Sequence, residues 1–233
     1  MSEPLVKWSY QGDKGPHYWG HICDEYEIAK SGKNQSPVDI HMEKVMEVQE
    51  SLPLELNYKP TTYTVRRVEN SVHLFPENKE QGLTFNGKRY NLIAFHGHIP
   101  SEHTLNQEYF AIEWHLVHMN EAGERLVLAI WMDEELEGSD FGELAEIFPQ
   151  VFANFGIEKQ ISLDVSNLLP EKRAYFTYHG SLTTPPTFEG VTWIVLREAT
   201  TISQEDFAAF QEVIQDTNRP LQALNDRDIH HSA

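Results

Sequence analysis

The chain has 233 residues, 40% of them hydrophobic, enough apolar material for one large β-rich domain or two small ones. Its 36 acidic and 18 basic residues leave a formal charge of −18, which repels nucleic acid and anionic lipid and argues against both as partners. No apolar run approaches the ~18 residues of a membrane span, and Met1-Ser2-Glu3-Pro4 lacks the basic and apolar regions of a signal peptide. Cys23 is the only cysteine, so neither an intramolecular disulfide nor a thiolate-rich metal site can form.

Taken in chain order, short strand-like runs separated by turn residues predict a single domain over 1–233, with 1–7 and 230–233 as flexible tails. There are no repeats, low-complexity stretches or linkers. The first clear strand is Thr62–Val68. Asn86-Gly87 between Leu83–Phe85 and Arg89–Ile93 is a strong hairpin signal, because both turn positions favour residues that tolerate positive φ. Strands follow at Arg89–His98, Tyr109–His118 and Leu126–Trp131. Glu143–Phe152 carries Leu144, Ile147, Phe148 and Val151 at helical spacing. Ala174–Tyr178 and Val191–Leu196 flank a loop containing Gly180 and Pro185-Pro186. Ser203–Gln215 reads as a helix with Ser203 as N-cap, Glu205 and Asp206 in the first turn, and Phe207, Phe210, Val213 and Ile214 on its apolar face.

The chemistry concentrates in Phe95-His96-Gly97-His98 and Glu113-Trp114-His115. His96 and His98 are two apart on a strand and point to one face. A third imidazole from a neighbouring strand, His115, would complete three nitrogen donors around one ion and leave a fourth position open, the arrangement of a catalytic zinc site. Glu113 shares a strand face with His115 and can accept the N–H of a metal-bound imidazole. Spacing alone leaves other readings standing: a polar strand face, or a cupin-like site, since His96-x-His98 followed by Glu102 resembles the first cupin motif. The later cupin motifs, a Gly-rich turn and a His-x3-Asn, are missing.

Several further motifs occur in one order: Gln35-Ser36-Pro37-Val38-Asp39-Ile40, Pro100-Ser101-Glu102-His103, Glu113-x-His115-Leu116-Val117-His118, Gly180-Ser181-Leu182-Thr183-Thr184-Pro185-Pro186, Val191-Thr192-Trp193-Ile194-Val195 and Asn218-Arg219-Pro220-Leu221-Gln222. Together with the His96 and His98 segment they resemble the α-class carbonic anhydrases, particularly the bacterial members, from Trp8 to about Ile229.

That resemblance implies a mainly β, α+β fold: one large, mostly antiparallel sheet of about ten strands with short peripheral helices. It implies Zn2+ on His96, His98 and His115, and reversible hydration of carbon dioxide to bicarbonate, with hydrolysis of activated esters as a side activity. Thr183 would donate a hydrogen bond to Glu102, which as a carboxylate can only accept, and so orient the nucleophile. Val117, Ile130, Leu182, Val191 and Trp193 would form the apolar wall for carbon dioxide, and Thr184 the anion and solvent side. His73 would relay the proton through waters ordered by Tyr10, Asn70 and Ser71, since an ordinary imidazole titrates near neutrality. A carbonic-anhydrase-like protein that only binds is the remaining alternative, and the intact ligand set speaks against it.

Bacterial members are often dimers, which leaves a homodimer open. Most are exported, which implies a periplasmic or secreted protein, although signal peptide and disulfide pair are both missing here. Four departures stand out. Ala94 occupies the place of a glutamine that accepts the N–H of the first zinc imidazole. Gly97 replaces an aromatic residue and predicts a packing gap behind the strand. Thr187 stands where a second cysteine is common, and Ser71-Val72 replaces Asn-Gly before the relay position.

Overall fold

A computed structural model of the protein describes residues 7–47 and 52–232, so the expected N-terminal tail, apart from Lys7, lies outside the described residues, as does Ala233. Among the described residues fifteen strands are formed: β1 (Asp39–Ile40), β2 (Met46–Glu47), β3 (Leu54–Asn57), β4 (Thr61–Val68), β5 (Ser71–Pro76), β6 (Gly82–Phe85), β7 (Lys88–His98), β8 (Thr104–Leu105), β9 (Ile112–Met119), β10 (Arg125–Glu135), β11 (Glu158–Leu163), β12 (Tyr175–Ser181), β13 (Glu189–Leu196), β14 (Thr200–Ser203) and β15 (His230–Ser232). The helices are α1 (Trp19–Ile22), α2 (Ile28–Ser31), α3 (Glu143–Ala153) and α4 (Gln204–Ile214), besides short 3-10 turns.

Ten strands run across the main sheet in the order β11-β4-β5-β7-β9-β10-β13-β12-β15-β2, with β3, β6 and β14 attached beside it to make thirteen. The pairings are antiparallel except β10–β13, β10–β14 and β15–β2. Among the described residues nine of the twelve pairings in this sheet are antiparallel, so it is mostly antiparallel as the sequence suggested, with parallel pairs beside β10 and at the β2 edge. The hairpin forms as expected: Asn86 (φ 48°) and Gly87 (φ 74°) join β6 to β7. Ser203 caps α4 by accepting from the Asp206 N–H. The expected C-terminal tail behaves differently. His230–Ser232 pairs with both β12 and β2, and His231 and Ser232 are buried. An edge between two strands satisfies backbone groups that a free tail would leave to water. Among the described residues no helix is long and apolar enough to cross a membrane.

Alternation along the central strands separates two cores. Leu126, Leu128, Ile130 and Met132 of β10 join Trp114 and Leu116 of β9 under α3 and α4. Val127, Ala129 and Trp131 face the other way, with Val191, Trp193 and Val195 of β13 and Phe176 and Tyr178 of β12. The chemistry-bearing histidines of β7 and β9 lie on this second face. Behind β7, Gly97 leaves no gap. A Cβ built on it would meet the Trp114 ring at 3.1 Å and Ile214 Cδ1 at 3.2 Å. Large side chains from β9 and α4 have moved into the volume an aromatic residue would need.

Candidate metal centre

β7 and β9 pair antiparallel with His96 directly opposite His115, and His98 lies one step further along the same face of β7. This register brings one ring nitrogen from each of His96, His98 and His115 within 4.8 Å of the others. His98 and His115 are fully buried, and His96 is partly covered.

Neighbouring groups determine which nitrogens are free. The Thr217 carbonyl lies 2.7 Å from His98 Nδ1 and can only accept, so Nδ1 carries the proton and Nε2 keeps its lone pair. The Glu113 carboxylate lies 2.7 Å from His115 Nε2, so there Nδ1 keeps the lone pair. His98 Nε2 and His115 Nδ1 then face Glu102 Oε2 at 3.7 and 3.8 Å, beyond hydrogen-bond reach. His98 Nε2 and Glu102 Oε2 are both buried without hydrogen-bond partners among the described residues. Converging lone pairs and a carboxylate oxygen with no donor between them suit a small cation. Nitrogen donors with one oxygen nearby suit zinc. Burial lowers the pKa of His96 and His98, and adjacent imidazoles add to the effect. Both rings are thereby kept in the neutral form that ligates metal.

Glu113 organises the floor beneath the rings. Its Oε1 accepts from His115 Nε2 and His103 Nδ1, each at 2.7 Å. Its Oε2 accepts from the backbone N–H of Glu102 (2.9 Å) and His103 (2.8 Å) and from Trp131 Nε1 (3.2 Å). Burial acts to raise its pKa, but the facing imidazoles and their hydrogen bonds outweigh this and hold the carboxyl well below the usual range. His103 Nε2 in turn accepts from the Tyr178 hydroxyl at 2.7 Å, and that hydroxyl meets Ser36 Oγ at 2.8 Å.

A cleft of about 150 Å³ opens over the histidines, lined by Tyr10, Glu69, Asn70, Ser71, His73, His96, His98 and Thr184 among others. Tyr10 is raised well above the usual phenol range by burial, then by the charges of Glu102 and Glu69. His73 does not stand apart from the ligands. Its ring stacks on His96 with centroids 4.4 Å apart and planes 15° off parallel. Burial, with His98 and Arg66 nearby, pushes its pKa down to about 3. Thr183 is buried, but among the described residues no hydrogen bond joins it to Glu102. The Glu102 oxygen that is satisfied, Oε1, accepts from the Arg219 backbone N–H at 2.8 Å.

Val117, Leu182, Val191 and Trp193 fall together in the apolar cluster on the histidine face, and the Trp193 ring is 4.9 Å from that of His115. Ile130 does not join them. It lies in the core under the helices, because it is one residue, hence one face, away from Ala129, which pairs with His115. Val127, opposite Val117 in the same ladder, takes the place assigned to Ile130. Counting by twos from the Ala129 position would have found it once the register was known. Thr217 and Arg219 were also missed as supports, since the first acts through its carbonyl and the second through its backbone N–H, neither of which leaves a side-chain signature. Cys23 is a free thiol. His179 is exposed, and its carbonyl accepts from Arg227.

Residues 14–233 match the family model described as eukaryotic-type carbonic anhydrase. A carbonic anhydrase of Neisseria gonorrhoeae is 36% identical over 227 residues, covering 95% of this chain and 86% of that protein. Among solved structures, the α-carbonic anhydrase of Thermovibrio ammonificans in complex with the inhibitor sulfanilamide superposes with a TM-score of 0.90 at 34% identity, covering 97% of this chain and 100% of the other. Dioscorin in complex with ascorbate superposes at 0.89 with 28% identity, covering 97% of each.

Proposed function

Because this chain belongs to the eukaryotic-type, or α-class, carbonic anhydrase family, we propose that it hydrates carbon dioxide reversibly at a zinc ion held by His96, His98 and His115. The observation that carries the zinc assignment is the convergence of the three ring nitrogens, with Thr217 and Glu113 turning two of their lone pairs inward. The same observation, with the family fold, displaces the cupin-like alternative and gives a purely binding role no support. When bound, zinc makes water acidic enough to supply a nucleophile near neutrality, the behaviour for which carbonic anhydrases are known.

The protein's own groups do the rest. Glu113 and Thr217 hold two imidazoles in the ligating tautomer, so no proton has to move before metal binds. Glu102 Oε2 is the unfilled acceptor that a Thr183 hydroxyl would need in order to orient the nucleophile. Val117, Val127, Leu182, Val191 and Trp193 offer an apolar wall to a small uncharged substrate, which binds there at little desolvation cost and leaves as a charged product that the wall does not retain. The proton leaves through the cleft bearing Tyr10, Glu69, Asn70 and His73. For His73, direct stacking on His96 favours a place in the floor of the site over the relay suggested by the sequence. Small activated esters would be slower substrates of the same site.

The test is stopped-flow carbon dioxide hydration on protein stripped of metal and then reloaded with zinc. Activity should vanish on removal, return on reloading and be inhibited by sulfanilamide. Hydration that is absent, or indifferent to zinc, rejects the proposal.

A further inference from the structure

Two of the three imidazoles are held by hydrogen bonds on the nitrogen turned away from the cluster: His98 by the Thr217 carbonyl and His115 by Glu113. His96 is the exception. Its Nδ1 is buried without a partner, and the residue two before it on the same strand face, where an acceptor could reach it, is Ala94. An imidazole lacking that anchor is free to turn about its ring bond, and a wandering donor weakens a metal site.

The structure supplies a different restraint. Leu74 of β5 pairs with Phe95 of β7, and on the opposite face of the two strands His73 lies flat against His96, with centroids at 4.4 Å and planes at 15°. His73 is itself backed by Phe75, two residues on along the same face, at 6.2 Å and 20°. The Arg66 guanidinium sits 4.3 Å from the centre of the Phe75 ring and is paired with Glu158 at 3.2 Å. The column His96–His73–Phe75–Arg66 thus runs from the metal centre to an ion pair on β11 and β4. A quarter turn of the His96 ring would drive its edge into His73.

We propose that His73 is a positioning residue that holds the His96 imidazole by stacking, in place of the hydrogen-bond acceptor that Ala94 does not provide. The proposal rests on the zinc reading of the site. It assigns His73 a role that needs a flat ring and no titrating nitrogen, which separates it from a proton relay.

The experiment measures zinc affinity by competition with a chromophoric chelator for the wild type, His73→Ala, His73→Phe, Ala94→Gln and the Ala94→Gln/His73→Ala pair. An aromatic stack of this kind is worth about three- to tenfold in a binding constant, so His73→Ala should bind zinc about three- to tenfold more weakly. His73→Phe should stay within about twofold of wild type. Ala94→Gln should tighten binding, and in that background loss of His73 should cost less than about twofold, because the carboxamide takes over the restraint. An unchanged affinity in His73→Ala, an equal loss in His73→Phe, or an equal cost in both backgrounds overturns the inference. A wild-type chain that binds no zinc overturns the metal reading, and this inference with it. Wild-type binding with an unaffected His73→Ala variant overturns the stacking alone.

Discussion

Glu113→Gln removes one acceptor oxygen while keeping the shape of the side chain, and the structure dictates where the new amide group must go. The oxygen now at Oε2 faces three N–H donors, from Glu102, His103 and Trp131, none of which can become an acceptor. The amide oxygen must remain there, so the NH2 group turns to His103 and His115. Both rings then have to present a lone pair to it, and their protons move to the opposite nitrogen. His103 tolerates this, because the Tyr178 hydroxyl against its Nε2 can accept as readily as donate. His115 does not, since its proton arrives on Nδ1, the nitrogen facing the cluster. Zinc affinity should fall about 10–100-fold, or ~1.4–2.8 kcal/mol, while the metal-free protein keeps its fold because the three N–H donors at the amide oxygen and both imidazoles still have a partner on the new side chain. Competition titration gives the affinity, and nitrogen-detected NMR of the imidazoles gives the tautomer. Zinc binding within about twofold of wild type, or a His115 proton still on Nε2, would refute the reasoning. Glu113→Ala is the poorer test. It strands five buried donors at roughly 1–3 kcal/mol each and should lose the fold along with the site.

Metal-free protein should lose stability on mild acidification. Burial pushes His118 down to about 3, so below its ordinary value near 6.5 the unfolded chain takes up a proton that the folded chain refuses. Stability from this group is complete above about pH 6.5 and falls by ~1.4 kcal/mol per unit below it, reaching ~2 kcal/mol at pH 5. Urea unfolding of His118→Gln, which keeps an acceptor for Tyr58 but cannot titrate, should show a correspondingly shallower pH dependence; an identical slope contradicts the assignment. Gly97→Ala should cost ~1–3 kcal/mol, because its methyl group meets Trp114 and Ile214, and Ile214→Val should recover part of the loss in the same assay. A neutral result would mean that the two side chains yield freely. Hydration by His73→Phe at low buffer should remain within about threefold of wild type, whereas a larger fall rescued by imidazole buffer would restore His73 as the relay.

Much of the site was readable because its signals are local. Two histidines at spacing two share a face whatever the fold, and Glu113 and His115 repeat the pattern on the next strand. The hairpin at Asn86-Gly87 and the Ser203 cap are likewise local, since both depend on φ preference and on side-chain to backbone bonds within a few residues. Assignments that needed register or distance fared less well. Ile130 was placed one residue from the correct face because nothing local says that Ala129, and not Ile130, pairs with His115. The gap expected behind Gly97 is filled by Trp114, seventeen residues away, and by Ile214 from a helix more than a hundred residues on.

The amino-acid sequence by itself gathered the three histidines of the candidate metal centre and the strands that carry them, because these depend on residue type and short-range periodicity, and the order of its motifs pointed to the family to which the chain belongs. Tertiary structure alone decided how the donors are held. Thr217 and Arg219 reach His98 and Glu102 through backbone atoms, which carry no residue signature and meet their partners only after more than a hundred intervening residues have folded. The contact of His73 with His96 likewise exists only because β5 and β7 pair in one register, and that register is set by the burial of both faces of the sheet.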